Sequence, residues 1–567
     1  MRNILFVASE SVPFIKTGGL ADVVGSLPKS FPKDEFDVRV VLPNYTCIPW
    51  EYRSQFKYIT HFYMELGQIS SGEHVGVMTY EYDGIKFYFI DNEHYFGGNT
   101  PYGDTRFDIE KFCFFSKAAL AILPSIDFKP DIIHCHDWQT GVLPVFLYAM
   151  FSDNPFYHNI RTIMTIHNLR FQGIWDIETL KRITGLPDYV FRNTDMEYYK
   201  DANMLKGGLV YSSFITTVSN SYKDEIQYDY YGEGLDGVIR EKSCGLLGIL
   251  NGIDYNEYNP ETDKDIFRTY NKYNFIESKA ANKRELQKEL GLTVDENKFV
   301  IGIISRLTEQ KGVDLIARVI EEIVDKNTQL IVIGTGDEGY ENMFRYYEWK
   351  YKGTVSGNIF FSNNRAHKLY AAADAMLVPS KFEPCGLTQL IALRYGTVPI
   401  VRETGGLRDT VEPYNINTDT NTQSPKTVVV GNSLGNGALK VSADNIPVSM
   451  EQYNTILVNQ LNNMITTLNN ILKKCCYSSH IRSKHNHHGN EFEKGCYCQL
   501  LPLFDVNNLL QSLNFDLNEN VTINGSPVNA SGVTISVFDD STQNYIHNID
   551  NSFLVDNVFA GFNPDEN

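Results

Sequence analysis

The sequence predicts an α/β protein with two doubly wound parallel-sheet domains in tandem. Short apolar runs alternate with amphipathic segments along most of the chain, as expected of βαβ units with buried strands. The alternation pauses at a turn-rich sequence, Asn251-Gly252-Ile253-Asp254, and then starts again. A chain of 567 residues also exceeds the size at which one core divides into domains. We therefore expect domains at residues 1–250 and 251–415, followed by a different segment at 416–567.

The elements follow from apolar runs of strand or helix length. In the first domain, strands are predicted in RNILFVASE, VRVVLPNY, KFYFID, PDIIHCHD, RTIMTIHN and FITTVS, with helices beginning near Leu20 and in EKFCFFSKAALAIL. In the second domain, strands are predicted in FVIGIISR, QLIVIG, NIFFS, AMLVPS and TVPIVR, with helices such as GVDLIARVIEEIV and QLIALRYG. Two such domains predict a cleft between them, where the carboxyl ends of both sets of strands meet ligands.

Composition narrows the classes of partner. The formal net charge is -19 and the pI is near 5.2, so nucleic acids and anionic lipids are disfavoured. Nine scattered cysteines favour a reducing cytoplasm. The apolar stretch near the start, from Ile4 to Ala8, is too short for a signal peptide core. No apolar run reaches the roughly 18 residues of a membrane span, so we expect no membrane association.

A glycine-rich loop follows the first predicted strand. It reads Lys16-Thr17-Gly18-Gly19-Leu20-Ala21-Asp22. Adjacent glycines let backbone N–H groups approach a ligand closely, and the helix that follows directs its positive end toward the loop. With the charge of Lys16, these features suit a diphosphate. An ordinary glycine turn between a strand and a helix explains the loop equally well.

Polar residues follow two other strands of the first domain. One group is His134-Cys135-His136-Asp137-Trp138-Gln139, and the other is Thr165-Ile166-His167-Asn168. A lone histidine at a strand end is more often structural, but two polar strand ends in one domain favour a site. A zinc site at the first group is disfavoured, because alternate residues of a strand face opposite ways.

The second domain offers three further motifs. In Ser305–Gly312, Arg306 and Lys311 lie where a strand gives way to a helix, and two cations there suit a pyrophosphate. A solvated basic turn is the alternative. Glu383 precedes the helix QLIALRYG, where it can cap the helix or hold sugar hydroxyls. A second Gly-Gly loop occupies Thr404–Asp409.

Taken together, these blocks resemble the family of bacterial glycogen synthases and plastid starch synthases. The resemblance rests on KTGGLADVVGSLP, HCHDWQTGVLP, TIHNLRFQG, NMLKGGLVYS, GILNGIDYNEYNP, SRLTEQKGVDL, IGTGDEGYE and PSKFEPCGLTQLIALRYGTVPIVRETGGLRDTV. They come in the family's order and cover Met1 to about Tyr414. The resemblance implies a GT-B fold, transfer of glucose from ADP-glucose to an α-1,4-glucan with retention of configuration, and no metal or other cofactor.

The resemblance also implies roles for individual residues. Residues matching the family's contacts to the donor phosphates are Lys16, Gly18, Gly19, Arg306, Lys311, Thr388 and Thr404, with Asp22 alongside the first loop. Residues matching the sugar and acceptor side are Tyr95, Asp137, His167, Glu383, Cys385, Gly386 and Leu387, and Asn251 matches the Asn of the hinge-side NGID block. The catalytic candidates among them are Glu383, His167, Asp137, Arg306 and Lys311. The implied reaction is front-face substitution, in which the leaving phosphate helps to deprotonate the acceptor hydroxyl.

Other functions remain open at this point. The family continues past its TGGL block with a Gly-rich TGEGNGF-like segment and terminal crossover helices, whereas this chain continues with NINTDTNTQSPKT. A catalytically impaired glucan- or nucleotide-binding protein is therefore the alternative to an active transferase. A sucrose synthase or UDP-glucose enzyme is disfavoured by the KTGGLAD loop. A two-carboxylate hydrolase is disfavoured because no second acid pairs with Glu383.

The segment 416–567 carries predictions of its own. Residues 451–474 have apolar positions spaced alternately four and three apart, which predicts an amphipathic helix that can self-associate. Residues 475–498 are rich in Cys and His, but their spacing fits no common zinc site, so a basic patch without metal is favoured. The stretch NVTINGSPVNASGVTISVFDD alternates as β-structure does.

Overall fold

The computed structural model describes residues 1–324 and 327–412, and the backbone of five short strands at 428–430, 521–523, 526–528, 535–539 and 544–549. The chain forms two compact units. Unit 1 comprises Met1–Asp263, Lys381–Tyr395 and Thr404–Thr410, and unit 2 comprises Lys264–Ser380, Gly396–Glu403 and the chain from Val411 onward. The domain boundaries at residues 250 and 415 stay sequence-based predictions.

Unit 1 is built on a large, mostly parallel sheet. Its strands in chain order are β1 (Arg2–Val7), β2 (Phe36–Pro43), β3 (Lys57–Leu66), β4 (Ser70–Tyr82), β5 (Ile85–Asp91), β6 (Ile132–His136), β7 (Arg161–Ile166), β8 (Ile174–Asp176), β9 (Glu197–Tyr198), β10 (Asp201–Asn203), β11 (Phe214–Thr217) and β12 (Leu246–Gly248). The described strands form one sheet in the order β12-β11-β7-β6-β1-β2-β5-β4-β3 and a small sheet in the order β8-β10-β9. Pairing is parallel from β12 to β5 and antiparallel from β5 to β3.

The predicted strands of the first domain are all present, and β3, β4, β8, β9, β10 and β12 are additional. The second half of β1 is inaccessible on both faces, since Leu5, Phe6 and Val7 have no exposed surface. Such a strand is a continuous apolar run and is easily recognised in a sequence. In contrast, β3 lies at the sheet edge and exposes residues such as Tyr58 and Tyr63, so its pattern is less distinctive.

Helices cover this sheet. Those of unit 1 are Gly19–Ser26, Trp50–Arg53, Glu93–Phe96, Thr105–Ala121, Leu143–Phe146, Ile177–Thr184, Met204–Tyr211, Asn220–Glu225, Asp229–Gly232, Asp236–Glu241, Thr388–Arg394 and Gly405–Thr410. The longest of these, Thr105–Ala121, begins where the Asp104 side chain accepts the N–H of Phe107 at 3.2 Å. It presses Phe112, Phe114 and other buried side chains into the core of unit 1.

Unit 2 has a second parallel sheet with its own core. Its strands are β13 (Phe299–Ile304), β14 (Thr328–Ile333), β15 (Val355–Asn358), β16 (Ala375–Val378), β17 (Val398–Arg402) and β18 (Val428–Val430), in the order β15-β14-β13-β16-β17-β18. All of these neighbours pair in parallel. The helices are Phe275–Glu289, Val313–Ile323, Glu338–Lys350 and Asn363–Ala372. Helix Val313–Ile323 packs residues such as Ile316 and Ile320 against the sheet, as its period-3.6 pattern predicts.

Two strands of unit 2 depart from the prediction. The apolar run NIFFS was predicted as a strand, but β15 ends at Asn358, and Phe360 and Phe361 are exposed at 44% and 59%. An apolar run can therefore lie outside the sheet at the protein surface. Strand β18 lies beyond residue 415 and was not predicted, because its short run of valines is flanked by polar, turn-rich sequence.

Four short strands follow near the end of the chain: β19 (Val521–Ile523), β20 (Ser526–Val528), β21 (Ile535–Asp539) and β22 (Asn544–Ile549). They form two antiparallel pairs, in agreement with the predicted alternation. The predicted helix at 451–474, its self-association and the Cys/His patch at 475–498 lie outside the described residues. Among the helices that the structure describes, none has the length and apolar character needed to cross a membrane.

Candidate functional site

The ends of β6 and β7 come together in unit 1, because these strands are parallel neighbours. Asp137, which directly follows β6, donates its N–H to the carbonyl oxygen of Thr165 at 3.0 Å. Its Oδ1 accepts the N–H of His167, the first residue after β7, at 2.6 Å. Asp137 has a positive φ of 55°, a conformation that favours glycine and costs about 1–3 kcal/mol. The sequence-predicted Asp137 and His167 are thus adjacent, and Asp137 is held in a strained backbone conformation.

Burial changes the acidity of Asp137. Removing the carboxylate from water raises its pKa to about 7, although the N–H groups of His167 and Asn168 partly stabilise the charged form. A carboxyl group with such a pKa is present in both protonation states near neutral pH. It can therefore accept or donate a proton, or offer an O–H to a ligand oxygen.

Three histidines, His134, His136 and His167, lie in or directly after β6 and β7. Burial lowers the pKa of His134 to about 4 and that of His167 to about 3. The pKa of His136 is also well below its usual range, first because of burial and then because of its two histidine neighbours. All three rings are therefore neutral near pH 7, so each carries one proton and offers one donor and one acceptor nitrogen. The Nδ1 atom of His136 and the Nε2 atom of His167 lie 2.9 Å apart.

The glycine loop after β1 is anchored by hydrogen bonds to the carboxylate of Glu10. Both carboxylate oxygens of Glu10 are engaged, since Oε2 accepts the N–H of Thr17 and Oε1 accepts the Thr17 hydroxyl at 2.6 Å. Tyr102 donates its hydroxyl to Oε1 at 2.5 Å. Glu10 was missed in the sequence, although the signal was present as an acid three residues past a buried strand. The loop is thereby fixed with Gly18 at its exposed tip.

An ion pair joins the two ends of the same loop. The Lys16 Nζ atom lies 2.7 Å from Oδ1 of Asp22, in the first turn of helix Gly19–Ser26. Burial raises the pKa of Asp22, and Lys16 partly offsets this effect. Both predicted residues are therefore present at the loop, and the charge of Lys16 is already shared with Asp22.

The segment around Glu383 adjoins the glycine loop within unit 1. Glu383 is buried, and its carbonyl oxygen accepts the N–H of Gly406 at 2.9 Å. Leu387 lies against the first loop, because a Cβ atom placed on Gly19 would stand 3.6 Å from its Cδ1. The structure therefore brings the Glu383 segment close to both Gly-Gly loops.

Three more predicted residues lie in this segment. Cys385 is buried, which raises the pKa of its thiol to about 12, and the N–H of Asn251 donates to its sulfur. Gly386 has a positive φ of 75°, so the turn there requires a residue tolerant of the left-handed region. Gln389 donates its amide to the carbonyl oxygens of Cys385 at 2.9 Å and Gly386 at 2.8 Å. Thr388 begins the helix that ends at Arg394.

Tyr95 lies in a different environment of unit 1. Its side chain is buried, and its hydroxyl donates to Oε1 of Glu110 at 3.0 Å. Its ring stacks on Phe114 with centroids 4.6 Å apart. These contacts join Tyr95 to helix Thr105–Ala121, and its role at the acceptor side stays a prediction.

Arg306 and Lys311 lie in unit 2, in the loop after β13. The loop is anchored through the main chain of Leu307, which donates to Thr335 O and accepts from Asp337 N, both at 2.8 Å. Arg306 is exposed and Lys311 is half-buried. Both cations thus lie in an anchored loop at the carboxyl end of a strand, and their role at the donor diphosphate stays a prediction.

Two family models match the chain. Residues 3–241 match the starch synthase catalytic domain, and residues 283–427 match glycosyl transferases group 1. The glycogen synthase of Lachnospira eligens is 61% identical over 415 residues, which is 73% of this chain and 86% of the relative. The glycogen synthase of Lachnoclostridium phytofermentans is 60% identical over 422 residues, which is 74% of this chain and 88% of the relative.

A solved structure shows the same fold. The catalytic domain of starch synthase IV from Arabidopsis thaliana, bound to ADP and acarbose, matches with a TM-score of 0.71 and 29% identity. The match covers 83% of this chain and 95% of that one. The GT-B fold and the predicted resemblance are thereby confirmed, and the 73–74% coverage by the two glycogen synthases is consistent with a C-terminal segment that departs from the family. The chain belongs to the glycogen synthase family of glycosyltransferases.

Proposed function

We propose that this chain transfers glucose from ADP-glucose to the non-reducing end of an α-1,4-glucan with retention of configuration. Its membership of the glycogen synthase family supports glycosyl transfer to a glucan. The starch synthase IV structure, which is bound to ADP, supports an adenine nucleotide donor. The observation that carries the proposal lies in unit 1: Asp137 and His167 are joined after the neighbouring strands β6 and β7, and the 16–19 loop, which follows the next strand β1, adjoins the Glu383 segment.

Charge stabilisation is the main task of this reaction. Breaking the bond between the glucose C1 and the diphosphate leaves negative charge on phosphate oxygens. The guanidinium of Arg306, the ammonium of Lys311 and the backbone N–H groups of Gly18 and Gly19 are suited to stabilise that charge as it develops. These groups supply positive charge without a metal ion, so we expect full activity in the presence of EDTA.

The buried residues Glu383, His167 and Asp137 are assigned to the transferred sugar. Positive charge develops at C1, and we expect the carboxylate of Glu383 to stabilise it. The acceptor hydroxyl attacks C1 from the face that the diphosphate leaves, and its proton passes to a leaving phosphate oxygen. One C–O bond breaks and one forms on the same face, so configuration is retained. His167 and Asp137 then hold sugar hydroxyls, consistent with their neutral or partly protonated states.

The experiment measures glucosyl transfer to a glycogen primer from ADP-glucose and from UDP-glucose. We expect a strong preference for ADP-glucose. Arg306→Ala and Lys311→Ala should each reduce kcat by about 100- to 1000-fold, equivalent to roughly 3–4 kcal/mol of transition-state stabilisation. Arg318→Ala is the matched control, because this exposed arginine lies on the helix that follows the same loop. Unchanged turnover in both loop variants would contradict the proposed donor site.

The second candidate function is a glucan- or nucleotide-binding protein without transferase activity. The departure of the sequence after about residue 414 from the family's pattern is the observation behind it, and the similarity to the glycogen synthase of Lachnospira eligens spans 415 residues. The high identity to glycogen synthases favours the active enzyme. Binding of ADP by calorimetry without any glucosyl transfer would instead support the second candidate.

Location and assembly complete the proposal. The scattered cysteines favour the reducing cytoplasm, and the acidic composition disfavours nucleic acid and membrane surfaces as partners.

Self-association through residues 451–474 rests on their heptad-like spacing. Light scattering on the full chain and on a chain ending at residue 450 tests this part, and equal masses would argue against it.

A further inference from the structure

His136 is a buried residue that the proposed reaction does not use directly. It has no exposed surface, and its backbone N–H donates to the hydroxyl of Thr140 at 2.7 Å. Its ring is packed against Phe6, with centroids 5.5 Å apart and planes 20° apart, and against His134 at 4.2 Å. The ring is therefore held in one place, with its Nδ1 atom 2.9 Å from Nε2 of His167.

One proton must lie between these two nitrogens, and there are two ways to place it. Both rings are neutral, since burial lowers the pKa of each. If His167 donated from Nε2, the proton of His136 would be on its Nε2 atom. That nitrogen is buried and has no hydrogen-bond partner among the described residues. An unpaired N–H there would carry the full cost of a desolvated donor.

The opposite arrangement avoids this cost. If His136 carries its proton on Nδ1, it donates to Nε2 of His167, and its own Nε2 is left as an unpaired acceptor. Buried donors without a partner are rarer in proteins than buried acceptors that lack one. The second ring then carries its proton on Nδ1, since a neutral imidazole has only one.

We infer that His136 is a positioning residue that fixes the tautomer of His167, so that His167 offers an Nδ1–H donor and not a base. The inference rests on the proposed function in one respect, namely that His167 contacts the sugar. The backbone N–H of His167 is held by Asp137 at 2.6 Å, so both the main chain and the ring of His167 are fixed by residues at the end of β6 or directly after it. An Nδ1–H donor can bind a sugar hydroxyl oxygen but cannot remove a proton from it.

The first test measures the tautomer directly by ¹⁵N NMR of the histidine-labelled full chain. Signals are assigned by their loss in His136→Asn and His167→Ala variants. We expect Nδ1 protonated in both rings and Nε2 of His167 as a hydrogen-bonded acceptor, unchanged from pH 6 to 8. Protonation of His167 on Nε2 would overturn the inference. This result does not depend on turnover, so it stands or falls separately from the proposed function.

The second test is a double-mutant cycle on transfer from ADP-glucose. His136→Leu removes the donor and should lower kcat about tenfold, with a smaller change in KM for the donor. His136→Asn places an amide N–H near the position of Nδ1 and should restore most of the rate. In a His167→Ala background, His136→Leu should have little further effect, because it acts through His167.

His134→Gln is the matched control for packing. The Nε2 atom of His134 lies 2.5 Å from the Thr165 hydroxyl, and a glutamine amide can replace that contact without touching the bond between His136 and His167. We expect this variant to retain activity and the His167 tautomer. Additive losses in the cycle, or equal losses in His136→Leu and His136→Asn at unchanged thermal stability, would overturn the inference.

Discussion

Two loops of unit 1 share the sequence Thr-Gly-Gly-Leu, at residues 17–20 and 404–407. Each leads into a helix, and each is held by one buried or half-buried acid. Glu10 accepts the backbone N–H and the hydroxyl of Thr17. Glu225 accepts the hydroxyl of Thr404 at 3.2 Å and the N–H of Gly405 at 2.8 Å. The two loops thus have the same four residues and closely similar carboxylate supports.

Their glycines meet very different surroundings. A Cβ atom on Gly18 would have no neighbour within 4 Å, and one on Gly19 would make an ordinary contact with Leu387 at 3.6 Å. A Cβ atom on Gly405 would lie 2.1 Å from the carbonyl oxygen of Glu383, and one on Gly406 would lie 2.3 Å from the Cα of Cys385. Described residues thus leave the first loop open, while the backbone of the Glu383 segment closes the second.

The difference shows that one motif can meet two requirements. In the second loop glycine is needed by the fold, because the chain carrying Glu383 passes too close for any side chain. In the first loop no described residue of the fold requires glycine, and Gly18 has an extended φ of -157° that any residue can adopt. The proposed donor site accounts for a glycine here, because phosphates that approach the backbone would leave no room for a side chain.

The largest effect is expected from Gly406→Ala. The added methyl group would meet backbone atoms of Cys385, which cannot move without displacing the Glu383 segment. We expect the free energy of unfolding to fall by about 3 kcal/mol or more, at the upper end for overpacking. Thermal unfolding by circular dichroism measures the change. A variant as stable as the parent would show that the Glu383 segment can shift, and the contrast between the loops would be lost.

The fold was largely readable from the sequence, for a physical reason. Strands buried on both faces, such as β1 and β13, are short continuous apolar runs bounded by turn residues, and these runs identified the central strands of both sheets. The edge strands β3 and β18 were missed because one of them faces solvent and the other is flanked by polar turns. The pattern of apolar residues in a sequence reflects which side chains are buried. It is therefore a weak signal for strands that are only partly buried.

A middle-sized effect is expected from Glu10→Gln. Three donors converge on this carboxylate, from the Thr17 N–H, the Thr17 hydroxyl and the Tyr102 hydroxyl. The amide keeps the shape but removes the charge that strengthens these bonds, and its NH₂ group faces hydroxyls that must turn to accept. We expect a loss of about 1–2 kcal/mol in unfolding free energy and a raised KM for ADP-glucose. Equal stability and unchanged KM would show that the acid does not support the loop.

Gly18→Ala should leave stability unchanged and act on the donor alone. Its methyl group meets no described atom, and the extended backbone accepts alanine without strain. If phosphates approach the backbone here, the methyl group should raise KM for ADP-glucose about tenfold, which is near 1.4 kcal/mol. ADP binding by calorimetry and thermal unfolding are measured together. Normal ADP binding would mean that the open space serves no ligand.

The sequence indicated the polar groups of the candidate site, but not the acids that hold its two glycine loops by hydrogen bonds. Polar residues at the ends of β6 and β7 stand out because parallel strands place them at one edge; this pattern indicated the groups 134–139 and 165–168, and the family resemblance singled out Asp137 and His167 within them. Glu225 lies 180 residues from Gly405, and Glu10 belongs to no motif of its own. Only the folded chain shows that each acid accepts an N–H from a Thr-Gly-Gly-Leu loop.

The smallest effect is expected from Glu225→Gln, the isosteric partner of the Glu10 test. Only Oε1 of Glu225 is bonded to the loop, whereas its Oε2 is buried without a partner among the described residues. Burial accordingly raises the pKa of this carboxyl, and the Gly405 N–H and the Thr404 hydroxyl offset only part of the rise. Few hydrogen bonds thus stabilise the charged form of Glu225, whereas both carboxylate oxygens of Glu10 accept hydrogen bonds.

The sign of the pH dependence follows from that raised pKa. A group with a folded pKa above its unfolded value, near 4.3 for glutamate, contributes stability that is present at lower pH and is lost as pH rises through the folded pKa. Glutamine does not titrate, so Glu225→Gln should match the parent near pH 4 and equal or exceed its stability at pH 7. The difference should stay below about 1 kcal/mol because Glu225 is only partly buried. Unfolding midpoints at both pH values measure it, with Glu10→Gln as the comparison. A Glu225→Gln variant that loses as much stability at pH 7 as Glu10→Gln would show that both acids support their loops by charge, so that the two loops differ only in the space around their glycines.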